Sequence, residues 1–318
     1  TKPRPKILYL DRLPFPALDL LPRLEKYYRV CVQSCSDGPT ISLNTSRGCP
    51  SKCTFCDSSV HGQQLRYHSA EYVFQLLKQC IDRYNVKNFF FNDSNFFLPF
   101  SRFRELADLI NRNGLKIKWS CMSRIDAVNE EILYLARKVG CQQILYGIES
   151  GSQEILNIYR KGITLKNIKN NLSLTKKAGI TIKGFFIFGG PGETKETIRL
   201  TINFMREIDL DDVGISLFVP FAGSDSYKNI SEYGTFLKDW QKMSTYIPVF
   251  IPYGFSEKKL LKYVKIAYRN FYFRPSIIIS YLRRCNSIWQ IKNFFLAGLV
   301  FLHYIFFEKH TQVDKNKL

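Results

Sequence analysis

Three cysteines fall within eight positions of the stretch SRGCPSKCTFC (46–56): Cys49, Cys53 and Cys56, in a chain that carries nine in all. Thiolates spaced this closely on one loop can surround a single small object. A closed tetrahedral zinc site needs a fourth ligand, which His61 or Asp57 could supply. Ferredoxin-type clusters are held by four cysteines, and no fourth lies near the triplet. Three thiolates also suit a 4Fe–4S cluster with one iron left open for a substrate or cofactor. An odd total of nine, scattered through a mid-sized chain, argues against a disulfide scaffold and for a reducing compartment. The other six, Cys31, Cys35, Cys80, Cys121, Cys141 and Cys285, read as packing residues or incidental thiols.

The elements that must position such a loop are legible in the hydrophobic pattern. Between 40 and 221, short β-rich runs are each followed by a longer amphipathic stretch, which predicts repeated βα units on a parallel sheet. Strands are expected at 40–45, 86–92, 116–121, 141–147, 180–189 and 212–218. Helices are expected at about 70–84, 101–113, 129–139, 153–159 with 165–178, and 195–208. Gly114, Gly140 and Gly179 each follow a helix, where a left-handed C-cap favours glycine. Six such units are too few to close an eight-stranded barrel. The expected fold is therefore α/β, a partial (β/α)6 TIM-like barrel with ligand loops at the C-terminal strand ends. The cysteine loop follows the first strand directly. After 220 the alternation stops: 248–253 reads as a loop and 257–273 as a basic amphipathic helix, followed by FRPSIIISYLRR and an apolar run.

Composition narrows the partners. Hydrophobic content of 45% and charged content of 23% are those of a folded chain. The opening residues have neither the apolar core nor the cleavage site of a signal peptide, so the chain reads as cytoplasmic. The formal charge is +19, and residues 226–318 hold 15 Lys+Arg against 5 Asp+Glu, over half of that excess. The same third contains FFLAGLVFLHYIFF (294–307), shorter than the ~17 residues a spanning helix needs. Flanked by Arg283, Arg284, Lys292 and Lys309, it reads either as an interfacial helix on the inner membrane surface or as a buried helix of a C-terminal region. No zinc finger or RNA-binding signature accompanies the charge, which argues against a nucleic-acid partner.

On its motifs the sequence resembles the radical S-adenosylmethionine (SAM) superfamily, whose hallmark is a C-x3-C-x2-C loop with an aromatic before the last cysteine, here Phe55. The resemblance implies that Cys49, Cys53 and Cys56 bind a 4Fe–4S cluster whose open iron is chelated by the amino and carboxylate groups of SAM. An electron from the cluster would then cleave SAM to methionine and a 5′-deoxyadenosyl radical. YGIESGSQEIL (146–156) resembles the fourth-strand motif, which implies that Glu149 bonds the ribose or amino-acid part of SAM. The plain alternative is a carboxylate capping the helix near Ser152. KGFFIFGGPGET (183–194) resembles the fifth-strand motif whose backbone edges the adenine, and Ile187, Gly189, Gly190 and Glu193 fall in it. Taken alone, that stretch would be a tight strand-to-helix turn. VPFAGSDSY (219–227) matches the family's usual ending after the sixth strand. The second-strand motif departs from the common Gly-Gly-Glu-like form: FFFNDSNFF (89–97) resembles the Asp-Asp-Asn-Phe version of one subclass. Asn92, Asp93 and Asn95 there offer acceptors for an ammonium group, or else form an Asx turn. Arg124 is the expected partner of the SAM carboxylate, with Asp126 and Glu149 as alternative partners.

LPFPALDLL (13–21), the cysteine loop, NDSNFF, GIESGSQEIL and the FRP after a basic helix together resemble the cobalamin-dependent subclass. That subclass includes anaerobic magnesium-protoporphyrin ester cyclase, hopanoid-modifying enzymes and many C-methyltransferases. Its Asp-x-His-x-x-Gly cobalamin motif does not occur in this sequence. Residues 1–38 are therefore expected to be a linker following an absent cobalamin-type domain, with 39–225 the SAM core and 226–318 a helical region. Cobalamin would be bound only if its domain is supplied elsewhere. The implied activity is hydrogen abstraction from a small organic substrate, ending in C-methylation if cobalamin is supplied or in rearrangement, cyclisation or hydrogen abstraction without it, with flavodoxin or ferredoxin as electron donor. The basic, apolar C-terminal third suggests an apolar or lipid-like substrate. Two rivals remain: a non-catalytic iron–sulfur or membrane-associated protein, and an RNA-modifying relative of the methylthiotransferases. The second of these would need an RNA-binding β-barrel and a further cysteine set.

Overall fold

The computed structural model describes residues 5–22, 38–86, 88–285 and 287–306, with the side chain of residue 289 excepted. Cys31, Cys35 and much of the expected linker lie outside the described residues. Along the chain, β1 (Thr40–Leu43) leads to a short antiparallel ribbon, β2 (Ser46–Arg47) with β3 (Arg66–Tyr67), and the cysteine loop is the excursion between its two strands. Five further units follow: α1 (Ala70–Tyr84), β4 (Asn88–Phe91), α2 (Phe100–Arg112), β5 (Lys118–Arg124), α3 (Glu130–Lys138), β6 (Cys141–Glu149), α4 (Gln153–Ile158) with α5 (Leu165–Lys177), β7 (Thr181–Phe188), α6 (Lys195–Glu207) and β8 (Asp212–Leu217). The strands pair in the order β1-β4-β5-β6-β7-β8, every pair parallel. The result is the curled, open half-barrel that the six-unit pattern predicts, with all its loop-bearing strand ends on one edge.

Local chemistry explains the boundaries. Ser69, Asn129 and Thr164 accept the first free amides of α1, α3 and α5, and Thr194 forms a reciprocal capping box on α6. Gly114, Gly140 and Gly179 stand just past α2, α3 and α5 with φ of +62°, +97° and +72°, where any other residue is strained.

Beyond β8 come a single turn, α7 (Asp225–Lys228), then β9 (Gly234–Phe236), β10 (Phe250–Pro252), α8 (Glu257–Tyr272), α9 (Pro275–Arg284) and α10 (Ile288–Phe306). Here the loop expected at 248–253 is corrected: Phe250–Pro252 pairs antiparallel with β9, and Pro252 ends an edge strand, where a missing amide is tolerated. Helix α8 is not peripheral. Its Leu260, Leu261, Val264, Ala267 and Phe271 belong to the same hydrophobic core as the sheet. Among the described residues, no helix is long and apolar enough to cross a membrane.

Candidate functional site

The cysteine loop is closed on itself by one backbone contact and fastened to the body of the protein by two others. The Cys49 amide donates to Gly62 O at 3.3 Å, the Thr54 amide to Tyr159 O at 3.0 Å, and the Ser226 amide to Thr54 O at 2.9 Å. Thr54 Oγ1 also donates to Ile158 O at 3.2 Å. The loop therefore hangs between the end of α4 and the turn that follows β8. Cys49 and Cys53 are half-buried, Cys56 is exposed, and all three thiols are free. Partial burial pushes the Cys56 thiol up, Cys53 and Cys49 beside it add to that rise, and the Lys161 ammonium opposes it.

Two cations face the loop. Arg124 ends β5 and turns Nη1 to Cys53 Sγ at 3.4 Å, while Nε and Nη2 grip Asp126 at 2.9 and 2.8 Å. Its Nη2 also donates to Lys161 O at 2.6 Å. Lys161 follows α4, and its Nζ donates to Glu149 Oε1 at 2.7 Å, both side chains being buried. Glu149 is the last residue of β6 and holds φ of +70°, a conformation that non-glycine residues adopt at a cost. Glu149 is thus a strand-end carboxylate committed to Lys161, not a helix cap. Of the two protein carboxylates considered for Arg124, it pairs with Asp126 and not with Glu149.

Phe55 packs edge-on to Tyr159, with ring centroids 5.2 Å apart, and the Lys161 ammonium lies 5.7 Å from the Phe55 ring centre. Phe55 and Ile187 both rest against a small apolar cluster of Phe218, Ile230 and Phe250, so the loop and β7 share one dry wall. At the end of β7, Gly189 has φ of +78° and donates its amide to Glu193 Oε2 at 3.0 Å. Gly190 lies against Tyr159, and a Cβ there would run into the Tyr159 hydroxyl. Glu193 also accepts from Thr197 Oγ1 at 2.8 Å, and burial pushes its carboxyl up to about 7.

The second-strand residues divide. Asn92 is exposed at the sheet edge. Asp93 is 1% exposed and occupied elsewhere: Oδ1 accepts from the Thr45 amide at 2.9 Å and Ser46 Oγ at 2.5 Å, and Oδ2 from Thr45 Oγ1 at 3.0 Å. Arg102 donates to that same Thr45 hydroxyl. Asn95 accepts from Ser123 Oγ at 3.0 Å. Asp93 and Asn95 therefore tie strand ends together, where the sequence offered them as ligand acceptors. Lys161 and Tyr159 were not legible as site residues. Their only sequence signal is a basic pair before Gly162 at the close of a short helix.

The donor set can be tested against the two metal readings. Asp57 Oδ1 is taken by the Ser59 amide at 2.9 Å and hydroxyl at 2.6 Å, and His61 is exposed. Among the described residues, no group of three or more His, Cys, Asp or Glu is disposed to hold one metal ion. The zinc reading thus lacks both its fourth ligand and its convergence. Three free thiols on one loop, with Arg124 at Cys53 and Lys161 nearby, fit a group that offers each sulfur its own iron.

Comparison with known proteins agrees. The family model of the radical SAM superfamily matches residues 43–205. An uncharacterized methyltransferase of Pyrococcus horikoshii is 34% identical over 281 residues, covering 87% of this chain and 60% of that protein. The anaerobic magnesium-protoporphyrin IX monomethyl ester cyclase of Cereibacter sphaeroides is 26% identical over 265 residues, covering 80% and 43%. The chain thus spans about half the length of these relatives. In fold it resembles the cobalamin-dependent S-adenosylmethionine radical enzyme OxsB, with a TM-score of 0.61 at 16% identity, covering 83% of this chain and 46% of that one.

Proposed function

The chain belongs to the radical SAM superfamily, and from that premise we propose that it cleaves SAM reductively and draws a hydrogen atom from a small organic substrate. When bound, the cluster supplies the electron that breaks the sulfonium bond and releases methionine and a 5′-deoxyadenosyl radical. The rest falls to this chain. Cys49, Cys53 and Cys56 would hold three irons, with Arg124 and Lys161 offsetting the thiolate charge. Asn92 and Glu149 would bind the polar parts of SAM, Arg124 its carboxylate, and the 187–190 backbone its adenine. Asp93 and Glu193 would position these groups by bracing the strand ends. Phe55, Ile187 and Phe218 give the site a dry wall, which protects a reactive intermediate from water. The names of the relatives support methylation, with cobalamin supplied by another domain or chain, or cyclisation. Exposed Cys56 is where an electron from flavodoxin or ferredoxin would enter. Residues 39–225 would form the SAM core and 226–318 its helical extension. Free thiols throughout the described chain favour the reducing cytoplasm.

The observation that carries this reading is the meeting of three free thiols with Arg124 and the Lys161–Glu149 pair at one strand-end edge. The test is anaerobic reconstitution with iron and sulfide, followed by dithionite and SAM. A 4Fe–4S spectrum and 5′-deoxyadenosine are expected, and both should be lost in Cys53→Ala. A stable cluster that never yields 5′-deoxyadenosine would instead assign the chain to electron storage or transfer.

A further inference from the structure

One large surface has no part in SAM chemistry. Helix α10 is covered along one side only: Tyr268 and Tyr272 of α8 meet Phe301, with ring centroids 6.3 and 5.1 Å apart, and Tyr281 of α9 stacks on Phe294 at 5.8 Å. The other side exposes Ile288, Phe295, Leu296, Leu299, Val300 and Phe306, with Ile288 87% and Val300 70% exposed. Ile278, Ile279 and Leu282 of α9 are exposed too. An apolar strip of this extent marks an interaction site rather than ordinary surface.

The charge pattern says what the partner is. From Lys258 to Phe307 the sequence has nine Lys+Arg and no Asp or Glu. On α8, Lys258, Lys262, Lys265 and Arg269 recur every three or four residues and form one stripe. That stripe runs beside α10, where the Lys265 ammonium lies 5.3 Å from the Tyr304 ring centre. Lys262 also lines, with Arg199 and Lys259, a cavity of about 470 Å³ between α6 and α8. Apolar side chains next to a band of cations whose acids lie at its margin, Glu257 at the start of α8 and Glu196 paired with Arg199 at 3.9 Å, complement a surface that is apolar in depth and anionic at its edge. With no described helix able to cross a membrane, the fitting arrangement is a helix lying flat.

We propose that α8, α9 and α10 seat the chain on an anionic lipid bilayer, the outer faces of α9 and α10 entering the headgroup boundary and the α8 stripe meeting the phosphates. This surface stands whether or not the SAM reading holds. The test is flotation of the full chain with phosphatidylcholine vesicles, with and without about 30% phosphatidylglycerol, across a salt series. Binding at least about tenfold tighter to the anionic vesicles is expected, falling steeply by about 0.5 M salt. Lys258→Glu/Lys262→Glu/Arg269→Glu and Leu299→Asp/Val300→Asp should each lose about tenfold or more, with an unchanged circular dichroism spectrum as the fold control. Equal binding to both vesicle types, no binding, or salt-insensitive binding overturns the proposal. So does a dimer that Leu299→Asp/Val300→Asp dissociates in the absence of vesicle binding, because the face would then belong to a second copy. Should either variant fail to fold, the salt series on the native chain still decides.

Discussion

Lys161 and Glu149 form the tightest charge pair beside the thiols. Their 2.7 Å contact is almost wholly buried, so each charge depends on the other. Removing the ammonium alone leaves a desolvated carboxylate whose backbone is already in a strained conformation. Lys161→Met is expected to destabilise the chain by about 3 kcal/mol, measured by urea denaturation. Adding Glu149→Gln should return part of that loss, since the stranded charge is then gone. The same single change should weaken SAM binding, while Lys161→Arg should spare it more. An unchanged denaturation midpoint for Lys161→Met would mean that the pair contributes nothing. The sequence showed Glu149 plainly, because a carboxylate at the end of a β-run is a local pattern. It did not show Lys161, because a partner 12 residues away is set by the path of α4 and the turn behind it. Arg124 illustrates the same limit: its type was legible, but only the fold shows that it pairs with Asp126 while Glu149 pairs with Lys161.

At the level of elements, the turn from β7 into α6 is a piece of packing as much as a ligand edge. Gly190 touches Tyr159, whose buried hydroxyl has no hydrogen-bond partner among the described residues. Tyr159 in turn carries the loop, since its carbonyl receives the Thr54 amide. Gly190→Ala would press a methyl into that hydroxyl and push the tyrosine towards Phe218, 6.4 Å away between ring centres. A loss of about 1–3 kcal/mol is expected, accompanied by poorer retention of the reconstituted cluster. Tyr159→Phe removes an unsatisfied polar atom and should by itself leave stability unchanged or slightly raised. In the double variant it should restore part of the Gly190→Ala loss. A double-mutant cycle with no coupling would rule out the contact. The glycines were conspicuous in the sequence, but the reason for Gly190 was not, since it lies in an aromatic ring 31 residues earlier. All six strands were readable because each is an apolar run bounded by polar or glycine residues. Strand β10 was not, because two prolines around a three-residue pairing look like a loop until Gly234–Phe236 is seen to pair with it.

Over the whole molecule, composition divided the chain at about residue 225, whereas packing does not. Charge and apolar content change there, but the buried stripe of α8 enters the core of the half-barrel, and a polar knot pins it. Asp212, the first residue of β8, pairs with Lys183 of β7 at 2.9 Å, both nearly inaccessible, and accepts a hydrogen bond from the Tyr272 hydroxyl at the end of α8. One carboxylate thus links two strands and the first C-terminal helix. No sequence pattern signals this, because an aspartate opening a strand looks like a turn residue. If the knot couples the two regions, urea unfolding followed by far-ultraviolet circular dichroism and by tryptophan emission should give coincident curves. Asp212→Ala should shift both together by about 3–5 kcal/mol, because Lys183 is left buried without its partner. Lys183→Met/Asp212→Leu should recover more than half of that loss, since an apolar pair of similar volume carries no stranded charge. Two separated transitions in the native chain would show instead that α8 to α10 fold on their own. The C-terminal helices would then be an independent unit beside the half-barrel. Coincident curves would mean that the half-barrel and α8 to α10 unfold as one cooperative unit.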